Sequence, residues 1–187
     1  MSYVKVYDDV LSSDMCKNII QKFESHPKQQ VTTYLENHRS FTEININQNI
    51  VSWKKELNIL FGTMQKYLIR YKQDVGVDDR AWPEQMGYEQ LRMKRYLPNG
   101  KDDFKFHVDV QDHASARRFL VYFWYLNDVA EGGETAFQLN RNVEPKIKVQ
   151  PKAGRLLMFP PLWTHPHIGM MPISNAKYII GGYLHYI

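Results

Sequence analysis

Gly154-Arg155-Leu156-Leu157-Met158-Phe159-Pro160-Pro161-Leu162-Trp163-Thr164-His165-Pro166-His167 joins an apolar strand signal to a pair of histidines. Leu156–Phe159 reads as a buried strand, opened at a glycine turn and ended by two prolines that cannot continue a ladder. His165 and His167 follow at once, where the mouth of a barrel would lie. Two further groups flank this stretch: His107-Val108-Asp109 upstream, and a solitary Lys177 ten residues beyond His167.

Working outward, short β-type runs recur at residues 88–96, 104–110, 119–126, 146–149 and 178–186. Turn signals separate them: Pro98-Asn99-Gly100, Glu131-Gly132-Gly133, residues 151–154 and Ser174-Asn175. Strands at this spacing predict an antiparallel sandwich or jelly roll. Upstream, residues 4–10 alternate as a short strand. Ser12 or Ser13 then offers an N-cap, and Cys16, Ile19, Ile20 and Phe23 recur at helical spacing until Pro27. Residues 28–50 suit an irregular strand pair. Trp53, Leu57, Leu60, Met64, Leu68 and Tyr71 make the core-facing stripe of a longer helix. Residues 74–87 read as a loop whose acidic residues lack calcium-ligand spacing and are solvated charge. The fold class expected is mainly β with supporting helices (α+β), a single domain over 1–187. Its N-terminal strand and helices occupy 1–75 and its β core 88–187.

The composition fits that picture. Over 187 residues, 43% are apolar and 13% aromatic, enough for a β-rich core. A lone Cys16 excludes an intramolecular disulfide and a cysteine zinc site. No apolar run approaches the roughly 20 residues of a membrane span, and the N-terminus lacks a signal-peptide core. These features predict a cytoplasmic protein, a monomer or small homo-oligomer with no membrane partner. The formal charge of +4 is scattered rather than blocked, so nucleic acid is the lesser alternative as partner.

A strand sends residues i and i+2 to one face, so His107 and Asp109 project together. An imidazole and a carboxylate about 5–7 Å apart can share a metal if a third ligand arrives from elsewhere. His165 or His167 supplies it, and periodicity cannot choose, because an extended chain puts both on one face. Two imidazoles and a carboxylate leave open positions, which suits a catalytic site, whereas structural zinc takes a closed set of four.

The order Tyr96, His107-x-Asp109, Tyr125-Leu126-Asn127, Gly132-Gly133-Glu134-Thr135, His167, Lys177 resembles the 2-oxoglutarate-dependent oxygenases of prolyl 4-hydroxylase type. The likeness covers roughly residues 88–187. It implies a double-stranded β-helix (jelly-roll, cupin-like) core with the N-terminal helices packed against it. It implies Fe(II) held by His107, Asp109 and His167, with His167 preferred because Gly169 and Lys177 follow at the family's spacing. It implies 2-oxoglutarate as cosubstrate, O2 as oxidant and ascorbate as a further possible cofactor. Lys177 would pair with the distal carboxylate of 2-oxoglutarate. Tyr96 and Thr135 match positions that hydrogen-bond it, and Tyr125 is a further contact.

The resemblance also matches Arg118 to an arginine that faces the substrate proline. Positions 118 and 125 differ by an odd number, so a regular strand sends Arg118 and Tyr125 to opposite faces. A bulge, or a strand that begins after Arg118, is then required, and Arg117 is the alternative. Tyr183 and Trp163 are candidates for the substrate groove, and the segments 74–87 and 112–117 for its rim. His113 and His185 read as structural or surface residues, and His26 and His38 as surface. The implied reaction is hydroxylation of a prolyl residue in a peptide or protein, with 2-oxoglutarate and O2 converted to succinate and CO2. The alternatives are a related oxygenase acting on another amino acid or on methylated nucleic acid, and a metal-binding jelly roll without turnover.

Overall fold

The computed structural model describes residues 3–187. Twelve strands form one sheet: β1 (Lys5–Tyr7), β2 (Val31–Leu35), β3 (Arg39–Asn45), β4 (Met86–Tyr88), β5 (Arg92–Tyr96), β6 (Phe104–His107), β7 (Arg118–Tyr125), β8 (Thr135–Phe137), β9 (Ile147–Val149), β10 (Leu156–Phe159), β11 (His167–Gly169) and β12 (Lys177–Tyr186). Its order is β1-β10-β7-β12-β5-β3-β6-β11-β8-β9, with β2 paired to β3 and β4 to β12, and every pairing is antiparallel. Two helices, α1 (Ser13–Ser25) and α2 (Ile50–Val75), cover one face.

Alternation along the strands builds two cores from one sheet. On β7, Leu120, Tyr122 and Trp124 join the helices, while Val121 and Tyr125 point into the curved interior with Leu157, Phe159, Phe137 and Val149. On β10, Leu156 and Met158 take the helix side. This is the period of two expected of a sheet buried on both faces. The helix-side core is completed by Cys16, Ile19 and Phe23 of α1 and by Trp53, Leu60, Met64, Leu68 and Tyr71 of α2. Ser12 caps α1 by accepting from Met15 N–H at 3.2 Å. Burial pushes the Cys16 thiol up to about 11, which keeps it protonated and inert.

Several boundaries differ from the sequence reading. The run 88–96 divides into β4 and β5, which pair with different parts of β12. β8 and β11 are three residues each, too short to leave a periodic signal, and they carry Thr135 and His167. β6 ends at His107, so Asp109 lies just past the strand. Its backbone N–H and that of Val110 donate to the Pro161 carbonyl at 3.1 and 3.2 Å. The proline pair thus ends one strand and anchors the metal-binding turn of another. On β7, Leu120 faces Leu184 and Arg118 faces His185, so Phe119 is the extra residue of a bulge. That bulge turns Arg118 back toward the interior shared by Tyr125. No helix is long and apolar enough to cross a membrane among the described residues.

Candidate active site

β6 and β11 are neighbours in the sheet, and their register sets His107 directly opposite His167. The two rings lie 4.2 Å apart between centroids. Asp109 reaches both: Oδ1 is 3.7 Å from His107 Nε2, and Oδ2 is 3.5 Å from His167 Nε2. One ligand atom from each of the three residues lies within 4.8 Å of the others. The opposite ring nitrogens are already engaged. His107 Nδ1 meets the Lys105 carbonyl at 2.6 Å, and His167 Nδ1 meets the His165 carbonyl at 3.1 Å. A carbonyl can only accept, so each Nδ1 carries the proton and each Nε2 lone pair faces the centre.

The carboxylate is prepared in the same way. Tyr183 OH donates to Asp109 Oδ1 at 2.7 Å, whereas Oδ2 is buried with no hydrogen-bond donor among the described residues. A buried carboxylate oxygen without a donor is costly, and a cation at this centre satisfies it. Burial alone would raise the Asp109 carboxyl, but His167, His107 and Tyr183 outweigh it and hold it well below the usual carboxylate range. Burial pushes His167 down to about 4, against the pull of Asp109. At neutral pH the aspartate is therefore charged and His167 neutral, the forms that bind a divalent metal. Phe104 stacks on His107 at 3.6 Å, and Phe137 and Phe159 pack around His167.

His165 stands apart from this cluster. Its ring is half-buried, meets Thr164 Oγ1 at 2.8 Å and packs edge-on against Tyr3. The short β11 strand makes the difference, since only His167 lies within the ladder.

Deeper in the barrel sits Lys177, 2% exposed and paired in register with Tyr96. Its Nζ donates to the carbonyls of Gly133 and Met170 at 3.0 and 3.2 Å and lies 4.5 Å from the Tyr96 ring centroid. No carboxylate pairs with it among the described residues. Burial pushes its ammonium down to about 7, with Glu134 and Asp103 opposing. Gly132 and Gly133, at φ 75° and 77°, turn the chain so that this carbonyl can face the lysine; a Cβ on Gly132 would meet the Met171 carbonyl oxygen at 2.5 Å. Nearby, Tyr125 OH donates to Thr135 Oγ1 at 2.6 Å, both side chains buried.

A cavity of about 490 Å³ opens over His107 and Asp109. Arg118 forms part of its wall. Its Nε and Nη2 donate to the Glu89 carboxylate at 2.7 and 2.9 Å, its Nη1 donates to the Asp109 carbonyl at 3.0 Å, and its guanidinium lies 4.0 Å from the Tyr183 ring centroid. Arg117 is exposed and does not line the cavity. The rim differs from expectation. Residues 74–87 contribute nothing to it, while the β2–β3 hairpin does, through Thr33, His38, Arg39, Phe41 and Glu43. His38 is therefore a half-buried cavity residue, not a surface one. Trp163 is 78% exposed and lies outside the cavity, whereas Tyr183 lines it. Glu89 and Lys94 were not singled out from the sequence. Lys94 precedes Tyr96 by two, and strand parity alone would have put both on the inner face.

The sequence profile described as the 2OG-Fe(II) oxygenase superfamily matches residues 91–185, about half of the chain. The chain belongs to that superfamily. The oxygenase therefore uses Fe(II), bound by His107, Asp109 and His167, and 2-oxoglutarate. No curated protein matches its sequence. Its fold is similar to that of a collagen prolyl hydroxylase of Paramecium Bursaria Chlorella virus-1, with TM-score 0.69 and 19% identity, covering 100% of this chain and 97% of that one. It is also similar to a prolyl hydroxylase of Trichoplax adhaerens solved with a hypoxia inducible factor peptide, with TM-score 0.75 and 17% identity over 97% of this chain and 83% of that one. A Pseudomonas putida prolyl-4-hydroxylase aligns with TM-score 0.65 and 17% identity over 98% and 92%. At such identities the likeness establishes a shared double-stranded β-helix fold.

Proposed function

We propose that the oxygenase hydroxylates a prolyl residue of a peptide or protein. The observation that carries this reading is Arg118, clamped by Glu89 against Tyr183 beside the metal ligands. A guanidinium has five N–H donors. The contacts to Glu89 and the Asp109 carbonyl use three of them. The remaining two can grip a substrate carbonyl at the cavity wall. The solved relatives described above include prolyl hydroxylases from three sources, which supports the same substrate class.

When bound, Fe(II) supplies, with 2-oxoglutarate and O2, the oxidising power that converts a C–H bond to C–OH. The chain's residues do the rest. His107, Asp109 and His167 would hold the Fe(II) through one ligand atom each. Lys177 holds the distal carboxylate of 2-oxoglutarate as its missing counter-charge, with Tyr96 and the Tyr125–Thr135 pair alongside. Phe104, Phe137 and Phe159 keep water from the ligand nitrogens. The test is incubation with Fe(II), 2-oxoglutarate and ascorbate of proline-rich peptides, free proline and methylated oligonucleotides, read by mass spectrometry and by succinate release. A prolyl peptide that gains one oxygen in step with succinate is the expected result. Product formed only from methylated oligonucleotide, or only from free proline, overturns it.

A further inference from the structure

Several of the charges lining the cavity are paired, and two cations among them are not. Glu43 takes Arg92 at 2.9 Å. Glu89 takes Arg118. Asp112 is turned onto Ser115 at 2.7 Å, and Asp109 belongs to the metal centre. Two cations remain without an ion pair. Lys94 Nζ and the Arg39 guanidinium have no hydrogen bond or ion pair among the described residues, and Arg39 Nε is a buried donor with no acceptor. Both converge on Phe104, the ring that stacks on His107: Lys94 Nζ is 5.8 Å and Arg39 Cζ 5.7 Å from its centroid. Lys94 Nζ also lies 4.6 Å from the Phe41 ring. Aromatic faces pre-orient these cations but are weak substitutes for an anion. His38 Nδ1, on the same wall as Arg39 Nε, is a second buried polar atom without a partner.

We propose that Lys94, flanked by Arg39, is a subsite for a carboxylate of the substrate. The proposal rests on the reading of this cavity as the substrate site and narrows its substrate class to acids. The position argues against a role in holding 2-oxoglutarate. Lys94 pairs with Ile179, whereas Tyr96 pairs with Lys177, so Lys94 stands one inward-facing position nearer the mouth, about 7 Å along the strand. Lys94 and Ile179 line the open cavity, and Lys177 and Tyr96 do not. A carboxylate there would be bound by charge-assisted hydrogen bonds beside two cations that have no ion pair among the described residues. Burial lowers the Lys94 ammonium, opposed by Glu43 and Asp109, so an incoming carboxylate also relieves an unfavourable burial. The carboxylate has two possible sources, the α-carboxylate of a free amino acid or an acidic side chain beside the target residue of a peptide.

The experiment uses two probe pairs that differ only in charge: L-proline against L-prolinamide, and a proline peptide with Glu after the proline against the same peptide with Gln. Binding is measured by calorimetry on protein loaded with Fe(II) and 2-oxoglutarate, with O2 excluded. The charged member of one pair is expected to bind at least about ten-fold more tightly, and the pair that responds identifies the source. Lys94→Met should bring that ratio close to one with 2-oxoglutarate affinity unchanged, and Lys94→Arg should keep it. Equal binding within both pairs, a ratio that survives Lys94→Met, or a parallel loss of 2-oxoglutarate affinity overturns the proposal. Turnover separates it from the prolyl reading. Prolyl peptides hydroxylated without charge preference leave the enzyme reading and remove the subsite. Lys94-dependent binding of acids without prolyl hydroxylation does the reverse.

Discussion

Raising the pH from about 6 to about 8 is expected to weaken 2-oxoglutarate binding about ten-fold, and Lys177 is the reason. Its ammonium is buried against two carbonyl oxygens with no carboxylate partner among the described residues, and burial brings it down to about 7. Without cosubstrate, the fraction able to pair with an anion falls from about nine-tenths to about one-tenth over this range. In the role proposed for Lys177, the distal carboxylate would restore the counter-charge and hold the lysine protonated. Binding at pH 8 should therefore take up about 0.9 proton, against about 0.1 at pH 6. His167, at about 4, is already neutral throughout and does not contribute. Calorimetry in buffers of different ionisation enthalpy reads the proton count directly. Lys177→Met should abolish both the uptake and the pH slope, and lower affinity at pH 6. Affinity and proton uptake that are flat across this range would refute the argument. The same lysine has a stability consequence of fixed sign. Its folded-state value lies below the unfolded one, so between about 7 and about 10.5 the unfolded chain binds the extra proton. Stability of the unliganded protein should rise with pH through that window by up to about 1.4 kcal/mol per unit from this group.

Other outcomes follow from the same geometry. Asp109→Ala should abolish turnover while the fold stays intact by circular dichroism; near-normal succinate production by that variant would contradict the iron assignment. His167→Ala should lose bound iron and His165→Ala keep most of it, measured as metal content after gel filtration, and the reverse pattern would misplace the β11 register. Tyr183→Phe removes the hydroxyl that donates to Asp109 at 2.7 Å. A lost outer partner of a metal ligand should cost about 10–100-fold in iron affinity, read by titration under anaerobic conditions. Gly181→Ala places a Cβ 2.2 Å from the Tyr122 carbonyl oxygen and 2.3 Å from Phe123 Cβ. That crowding between β12 and β7 should cost about 1–3 kcal/mol in urea unfolding, and an unchanged midpoint would show the strands can part freely.

The two helices, the long strands and the spacing His107-x-Asp109 to His167 to Lys177 are legible in the chain alone. Those features repeat over enough residues, or stand at fixed enough separations, to be read without neighbours. Strand parity also groups Lys94 with Tyr96 on one face of β5. Three matters depend on contacts between distant segments. Whether His165 or His167 binds iron depended on β11, a three-residue strand held in place by β6 and β8 rather than by its own composition. Whether Arg118 can share the interior with Tyr125 depended on a bulge at Phe119, which arises from pairing between β7 and β12 and has no local signal. The rim and the unpaired charge of the cavity depended on which distant carboxylates reach which cations. Glu89 reaches Arg118 and Glu43 reaches Arg92, and Lys94 is left over. A residue's chemistry is written in the chain, but its partner is chosen by packing, because the groups that meet here come from strands as far apart in sequence as β3 and β12.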